Sequence, residues 1–257
     1  MLALTHIPSA KIDKGQRTHV ARVSIDYDLA VRQHESYCRL LRRCGVNVRT
    51  LDVNRDSPDC VFIEDTAIVL DEVAVLASMG TEARRGEPSG IEPDLREYRE
   101  VHRVEWPAKL EGGDVLPVGR TLLVGLSSRT NSAGVRALES IVNRYGYRVV
   151  PAPVHGCLHL KTACTALLDN SLLVSRSWLD TEALEGFHLI PIPEEEPWAA
   201  NVLPIGKYVC MPAEHVQTTA LIRELGFEVA TVELSEFAKA EGGITCLSLL
   251  FNESKKV

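Results

Sequence analysis

Polar residues that could take part in catalysis or binding recur at similar intervals along the chain. Members of this set stand early in successive apolar stretches: Glu64, Glu111, His159, Asn201 and Cys246. Their residue numbers differ by 47, 48, 42 and 45. A buried polar side chain costs free energy unless it has a partner or a purpose. If the stretches are repeats packed around one axis, these side chains meet at one place and form a site.

Cysteine and histidine together indicate nucleophilic catalysis. The thiolate of Cys246 would attack, and the imidazole of His159 would transfer protons. Carboxylates such as Glu111 and Asp65 are superfluous for an acyl substrate but suit a planar cation. A guanidinium presents its N–H donors in a fixed fork that fits two carboxylates. The set therefore predicts attack on the central carbon of a guanidine.

Arginines near the predicted strands offer a further contact. Arg84, next to Arg85, and Arg129 each follow the second strand of a predicted hairpin. An arginine there can bind a substrate carboxylate through two parallel hydrogen bonds. In the alternative interpretation, Glu87 and Glu92 pair with the first two arginines at the surface.

A repeated unit would bring these residues together. Each unit begins with two short apolar strands around a polar turn, predicted at 61–70 with 73–77, 110–118 with 121–124, 158–168 with 171–175, and 201–205 with 208–211. The turns contain Gly, Asn or Asp, including Asp169 and Asn170, as tight hairpins require. The stretch 244–251 supplies the last strand.

A helix and a further strand complete each unit. Helices are predicted at 30–43, 94–102, 135–145, 182–187 and 214–225, and the strands that follow them at 46–53, 104–106, 147–154, 189–192 and 227–234. Gly45, Gly146 and Gly226 stand where helices end. A period of roughly 40–50 residues indicates a repeat architecture. Radial closure would remove the exposed sheet edges, and no linker divides 1–257, so a single α/β domain is expected.

Composition excludes several classes of protein. The 257 residues carry 28 basic and 35 acidic side chains, a net charge of −7, which disfavours a nucleic-acid-binding protein. Seven cysteines without paired spacing, and no signal peptide, predict reduced thiols in a cytoplasmic protein. No apolar run approaches the roughly 18 residues of a membrane helix. The expected partner is a small molecule, and the sequence is compatible with a homodimer.

The motifs resemble those of the dimethylarginine dimethylaminohydrolases, a family of guanidino-modifying enzymes. They occur in family order across nearly the whole chain: PDCVFIED (58–65), EARRGE (82–87), LEGGD (110–114), RTN (129–131), LHLKT (158–162), PEEE (193–196) and GGITCLS (242–248). The resemblance implies a five-bladed α/β propeller of pseudo-symmetric ββαβ repeats. It also implies hydrolysis of Nω-methylated arginine to citrulline and a methylamine, through a covalent S-alkylthiouronium and without a cofactor or metal.

The resemblance further implies a role for each matching residue. The catalytic residues would be Cys246 as nucleophile, His159 as general acid and base, and Glu111, which would bind the guanidinium together with Asp65. Further substrate contacts would come from Asp59 to the α-amino group, Arg84 and Arg129 to the α-carboxylate, Glu64 beside the substituted nitrogen, Ile244 and Gln16. Gln16 is a departure, because many relatives have leucine at this position of an N-terminal loop that covers the substrate. It leaves open the preference between methylated and plain arginine.

Other functions remain as alternatives. An arginine deiminase, an arginine dihydrolase or an amidinotransferase would share the same centre and act on unmethylated arginine. A non-catalytic protein of the same fold, such as a ribosome anti-association factor, should lack the axial Cys and His. A zinc hydrolase would use His155, Cys157, His159 and Cys164, but prolines and glycine make that segment a poor helix.

Overall fold

Five three-stranded sheets form the framework of the computed structural model, which describes residues 1–168 and 170–253. The turn residue Asp169 lies outside this part. The strands, sheet by sheet, are β1 (Leu2–His6), β2 (Asn47–Leu51) and β15 (Leu249–Phe251); β3 (Ala67–Val69), β4 (Val73–Leu76) and β5 (Glu100–Arg103); β6 (Val115–Val118), β7 (Thr121–Leu126) and β8 (Arg148–Pro153); β9 (Cys164–Leu168), β10 (Ser171–Val174) and β11 (His188–Pro191); β12 (Leu203–Ile205), β13 (Tyr208–Pro212) and β14 (Glu228–Val232).

Helices connect the strands. The α-helices are α1 (Tyr27–Arg43), α2 (Glu87–Arg96), α3 (Ser132–Val142), α4 (Leu160–Ala163), α5 (Val216–Glu224) and α6 (Ser235–Ala238). Shorter 3₁₀ segments span Ile12–Lys14, Ile63–Thr66, Glu82–Arg84, Gly112–Asp114, Asn143–Tyr145, Arg176–Trp178, Thr181–Leu184 and Thr245–Leu247. Among the described residues, no helix combines the length and apolarity needed to cross a membrane.

All five sheets have the same internal pattern. In each, the middle strand is antiparallel to an inner strand and parallel to an outer strand. A parallel pair needs a crossover connection, which a helix supplies in four of the five units. The ββαβ repeat predicted from the sequence is therefore confirmed.

The chain closes on itself through its two ends. Strand β15 pairs with β1, so the first sheet combines the last strand with the first two. Inner strands of neighbouring sheets touch, as β15 touches β3 and β9 touches both β6 and β12. One cavity is lined by residues of all five inner strands. These contacts arrange the sheets around a common axis, as the predicted propeller requires.

Local sequence explains most helix boundaries. Helix α1 begins at its N-cap Asp26, whose carboxylate accepts the Leu29 N–H at 2.9 Å. It buries residues such as Ala30, Tyr37 and Leu41, which repeat at helical spacing. The three predicted helix-end glycines all have positive φ, namely Gly45, Gly146 and Gly226.

The predicted helix of the second unit was wrong. It spans Glu87–Arg96 rather than 94–102, and the following strand is Glu100–Arg103 rather than 104–106. Pro88 stands in the first turn, where a missing N–H costs no helical hydrogen bond. Gly90 looks like a helix breaker, but a Cβ there would lie 2.3 Å from Asn54 Oδ1, so glycine lets the Asn54 side chain pack against the helix.

The predicted helix of the fourth unit was also wrong. The stretch 182–187 contains a 3₁₀ segment, Thr181–Leu184, instead of an α-helix. Gly186, with φ of +93°, follows it and turns the chain toward the next strand.

Candidate active site

One-turn helical segments carry the axial polar residues. The sequence suggested that these residues lie inside strands, but Glu64 and Cys246 lie in 3₁₀ turns that precede β3 and β15. Glu111 and His159 stand immediately before similar turns that lead into β6 and β9. Each turn points its side chain toward the axis just ahead of an inner strand. The predicted convergence is present for Glu111, His159 and Cys246, although the local structure differs, whereas Glu64 and Asn201 do not line the same cavity as Cys246.

A buried cavity gathers most of the predicted site residues. Its lining contains Gln16, Asp59, Asp65, Arg84, Arg129, His159 and Cys246, together with Phe62, Leu158, Ala240, Glu241 and Gly242. The nucleophile, the proton carrier, two carboxylates and two arginines therefore share one space. Glu111 lies behind His159, whereas Glu64 and Ile244 lie elsewhere.

His159 is held by Glu111. Its Nε2 is 2.7 Å from Glu111 Oε2, and the other oxygen of that carboxylate accepts the Gly80 N–H at 2.8 Å. A Cβ at Gly113 would lie 2.7 Å from His159 Nδ1 and 2.6 Å from Asp65 Oδ1. Glycine at 113 is therefore needed for the imidazole and Asp65 to pack against the backbone.

Carboxylates keep His159 protonated. Burial opposes the charged imidazole, but Asp65, Asp114 and Glu111 outweigh it and raise the pKa of His159 to about 9. Asp114 is fixed by hydrogen bonds from Ser127 Oγ at 2.7 Å and from the Leu160 N–H at 2.9 Å. At neutral pH the ring can donate a proton.

Asp65 has one engaged and one unsatisfied oxygen. Oδ2 accepts a hydrogen bond from Arg84 Nη1 at 2.6 Å, whereas the buried Oδ1 has no hydrogen-bond partner among the described residues. Burial disfavours the charge of Asp65, but His159 and Arg84 hold its pKa below the usual value. The protonated His159 lies close to this oxygen, with Nδ1 3.7 Å from Oδ1, which is beyond hydrogen-bond distance. Because Asp65 lines the cavity, a donor on a ligand there can complete its hydrogen bonding.

Arg84 is bonded to protein groups. Its Nε and Nη2 donate to Glu87 Oε2 at 3.0 and 2.9 Å, and Nη2 also donates to the Phe62 carbonyl at 3.0 Å. It joins the buried carboxylates of Asp65 and Glu87. Its contact with a substrate carboxylate remains a prediction.

Arg129 is buried with fewer contacts. Nη1 lies 3.8 Å from Glu111 Oε1, and Nη2 donates to Thr18 Oγ1 at 3.5 Å. Both distances are long for hydrogen bonds. Arg129 thus has more of its N–H donors available than Arg84 for binding a carboxylate in the cavity.

Asp59 binds the N-terminal loop at the cavity. Both carboxylate oxygens lie 3.2 Å from the Gln16 N–H. A Cβ at Gly15 would lie 2.3 Å from Asp59 Oδ1, so this approach requires glycine. Burial raises the pKa of Asp59, although Arg84 opposes the shift.

The thiol of Cys246 is poised but not ionised. Its Sγ accepts the Gly243 N–H at 3.3 Å. Burial, and then the negative charges of Glu64 and Asp65, raise the pKa of Cys246. A cation placed beside the sulfur would lower that pKa and favour the thiolate.

Glu64 faces the axial channel rather than the cavity of Cys246. Lys161 Nζ donates to its Oε1 at 2.6 Å, and Thr245 Oγ1 donates to its Oε2 at 2.8 Å. Asn201 supports this arrangement, since its Nδ2 donates to Thr245 Oγ1 at 3.0 Å. The sequence did not indicate Lys161 as a partner, because 97 residues separate it from Glu64.

Ile244 lies in the hydrophobic core. Its side chain is fully buried beside Phe62 and Leu247 and does not line the cavity. Ala240 lines the cavity instead. The predicted substrate contact of Ile244 would therefore have to come from its backbone.

The alternative zinc set is not assembled. His155 is exposed, and Cys164 is buried within β9. In the described ranges, the one cluster with metal-ligating atoms within reach of each other is Asp65, Glu111 and His159. Its geometry is accounted for by the Glu111–His159 hydrogen bond.

Comparison with known proteins agrees with this geometry. The family model of N,N dimethylarginine dimethylhydrolase, eukaryotic, matches residues 4–249. The chain is 38% identical to the N(G),N(G)-dimethylarginine dimethylaminohydrolase of Streptomyces coelicolor, over 98% of this chain and 97% of that protein. It is 36% identical to the enzyme of the same name from Pseudomonas aeruginosa, over 88% and 90%.

A solved structure is similar along its whole length. It is the Pseudomonas aeruginosa enzyme as a cysteine-to-serine mutant complexed with citrulline, with 34% identity and a TM-score of 0.92. The match covers 97% of this chain and 98% of that one. These findings confirm the resemblance and the fold inferred from the motifs. The chain belongs to the dimethylarginine dimethylaminohydrolase family.

Proposed function

We propose that this chain hydrolyses Nω-methylated arginine to citrulline and methylamine or dimethylamine. One observation carries the proposal, namely the buried Asp65 Oδ1 without a hydrogen-bond donor, in the cavity that also contains Cys246 and His159. A buried carboxylate oxygen is stabilised by a charged donor, which the guanidinium of the substrate supplies. The family membership and the citrulline complex of the Pseudomonas relative support the same substrate class.

Substrate charge activates the nucleophile. In the free site the Cys246 pKa is raised, so the thiol keeps its proton at neutral pH. A guanidinium bound to Asp65 brings a positive charge into the cavity, which favours the thiolate and releases the thiol proton to solvent. Arg129 binds the α-carboxylate, and Asp59 accepts the α-amino group in exchange for the Gln16 N–H.

The chemistry proceeds in two halves through one proton carrier. The Cys246 sulfur adds to the guanidinium carbon, and the protonated His159 gives its proton to the leaving amine as the C–N bond breaks. This leaves an S-alkylthiouronium. The neutral His159 then takes a proton from water, which attacks the same carbon. The C–S bond breaks, the Cys246 thiolate leaves and takes up the remaining hydroxyl proton, and citrulline is released. Glu111 holds the imidazole through both halves.

Replacement of the nucleophile tests the proposal. We expect Cys246→Ser to abolish citrulline formation from asymmetric dimethylarginine while substrate binding, measured by calorimetry, stays within a few-fold of wild type. The hydroxyl is a far weaker nucleophile at neutral pH, but it leaves the carboxylate contacts in place. A matched Cys164→Ser variant reports on the loss of a buried thiol elsewhere. A Cys246→Ser enzyme with near-normal turnover would refute the assignment.

The reaction products distinguish the proposed enzyme from one that acts on unmethylated arginine. An enzyme acting on plain arginine releases ammonia, whereas the proposed enzyme releases methylamine or dimethylamine. Arginine, monomethylarginine and asymmetric dimethylarginine are supplied separately, and citrulline and the amine are measured. The backbone of Gln16 binds Asp59 and the residue lines the cavity, so Gln16→Leu tests its part in this preference. Higher kcat/KM for arginine than for both methylated substrates would favour the deiminase or dihydrolase.

A further inference from the structure

The N-terminal loop, residues 15–25, lies beside the cavity of Cys246 and contacts three residues of its lining, namely Asp59, Arg129 and Glu241. Between the 3₁₀ segment Ile12–Lys14 and α1 it has no helix or strand. Gln16 lines the cavity of Cys246, and Gln16, Thr18 and His19 are exposed residues. The position of this loop therefore depends on a small number of contacts with the body of the protein.

Glu241 makes the densest of these contacts. Its Oε2 accepts the Thr18 N–H at 2.9 Å, and its Oε1 accepts the Val20 N–H at 2.9 Å and the His19 N–H. Three consecutive backbone amides of the loop thus donate to one carboxylate. The Glu241 residue is 6% exposed. Hydrogen bonds to a charged, largely buried acceptor are the stronger kind.

The backbone of Glu241 indicates that this side chain is needed there. Its φ of +62° makes it the one non-glycine residue with positive φ in the part of the chain that the structure describes. Glutamate is strained in this region, whereas glycine adopts it without strain. Gly242 and Gly243 follow directly, so a glycine at position 241 would only extend this run to three glycines. The conformation is instead occupied by the residue whose carboxylate binds the loop.

Glu241 also connects the loop with the nucleophile. It lines the cavity of Cys246, five residues ahead of the thiol. Between them, the Gly243 N–H donates to Cys246 Sγ. The same short segment thus fixes the sulfur and the covering loop, so closure of the loop and placement of the nucleophile depend on one backbone.

We propose that Glu241 is a positioning residue that fastens residues 18–20 across the cavity and so holds Gln16 against the bound substrate. The inference rests on the proposed function, which it deepens by assigning a residue that controls closure. With the loop fastened, water reaches the thiouronium only in a limited amount, and the substrate is enclosed. With the loop released, Gln16 is no longer held at the cavity and the substrate is bound less tightly.

Two substitutions separate the carboxylate from the backbone. Glu241→Gly removes the acceptor and relieves the strained conformation, and Glu241→Gln keeps the shape but removes the charge. Glu233→Gly is the matched control, because Glu233 is exposed and outside the cavity. Amide hydrogen exchange of the peptide 15–25 is measured by mass spectrometry on the whole protein, with a β7 peptide as the internal reference.

We expect exchange of the loop peptide to accelerate at least about tenfold in Glu241→Gly, since even one charged hydrogen bond is worth that factor. Glu241→Gln should show a smaller increase, and Glu233→Gly none. Exchange of the β7 peptide should stay unchanged in all variants. An unchanged loop peptide in Glu241→Gly would overturn the proposal, as would equal acceleration in β7, which would indicate a purely structural role.

Kinetics then test the positioning role. The KM for asymmetric dimethylarginine should rise at least about fivefold in Glu241→Gly, with a smaller change in kcat, while the thermal midpoint is kept. A faster-exchanging loop with wild-type KM and kcat would overturn it. If the wild-type protein has no activity on methylated arginine, the proposed function fails, and the exchange experiment still decides whether Glu241 fastens the loop.

Discussion

His159 is surrounded by carboxylates, which stabilise its protonated form. Burial alone would make the imidazole neutral, but Asp65, Asp114 and Glu111 raise its pKa to about 9. The Cys246 thiol stays protonated, because burial and then the negative charges of Glu64 and Asp65 raise its pKa. In the free site, His159 is therefore protonated and ready to act as an acid, whereas the Cys246 thiol has not yet become the nucleophilic thiolate. A cationic substrate would supply a positive charge beside the sulfur, which lowers the pKa of Cys246 and favours the thiolate.

Removal of one carboxylate charge should lower the pKa of His159. Glu111→Gln replaces the hydrogen-bonded carboxylate with a neutral amide. A negative neighbour favours the protonated ring, so its loss moves the pKa down from about 9. The alkaline limb of kcat should move to lower pH in parallel, because the ring must be protonated to release the amine. NMR titration of His159 and a pH–rate profile measure the two shifts.

The Glu100→Gln variant is the control, since Glu100 is exposed and does not line the cavity. It should leave the His159 titration at its wild-type midpoint. An unchanged or higher His159 pKa in Glu111→Gln would show that the carboxylate does not control this proton.

Arg84 binds three short elements into one unit. It belongs to the segment Glu82–Arg84 and contacts the turn Ile63–Thr66 through Asp65 and the start of α2 through Glu87. We expect Arg84→Met to lower the free energy of unfolding by about 3–5 kcal/mol, because two buried carboxylates lose their cation. Urea denaturation of the two proteins measures the difference.

An exposed arginine supplies the comparison. Arg96 pairs with Glu92 on the surface of α2, and such pairs contribute about 0–1 kcal/mol. Arg96→Met should therefore leave stability nearly unchanged. If Arg84→Met is equally mild, the Arg84 pairs do not hold the elements together, and a substrate contact becomes the better explanation for this residue.

Long, periodic elements could be predicted from the sequence. The hairpins and the helix predicted at 135–145, observed as α3 (Ser132–Val142), were recognisable, because alternating and helical spacings extend over enough residues to differ. The α2 helix could not be placed, since Gly90 is present for packing against Asn54 and looks like a break in the sequence. One-turn segments such as Thr245–Leu247 are too short for any periodicity, so Cys246 was assigned to a strand.

The sequence predicted those site residues that occupy equivalent positions in the repeated unit. Glu111, His159 and Cys246 share equivalent places in three of the repeated units, and the fold brings them together. Contacts that depend on backbone groups or on distant partners carry no such signal. The amides bound by Glu241 belong to residues 18–20, more than two hundred positions away. Such contacts can be found only after the loop has been placed in space.

Closure through the first sheet makes the two ends of the chain interdependent. Strand β1 is the middle strand of that sheet, between β15 and β2, and Cys246 lies just ahead of β15. The ring cannot close unless residues from both ends have folded. This connectivity predicts that the chain 1–257 behaves as a single cooperative domain rather than as five separable units.

A core substitution in β1 tests that prediction. Leu4 is fully buried, and Leu4→Ala should lower the free energy of unfolding by about 2–5 kcal/mol. Trp178 and Trp198 pack edge to face with ring centroids 4.8 Å apart near the fourth sheet. When the exposed Trp106 is replaced by Phe in every protein compared, these two are the remaining tryptophans, and their fluorescence reports on a different sheet from β1. If the ring unfolds as a whole, the urea midpoints of unfolding measured by fluorescence and by far-ultraviolet circular dichroism should fall by the same amount in Leu4→Ala. Leu225→Ala, at a site 42% exposed, should change neither signal appreciably. A fluorescence midpoint that stays at its wild-type value while the dichroism midpoint falls would mean that the sheets unfold independently, because the damage in β1 would then not reach the tryptophans.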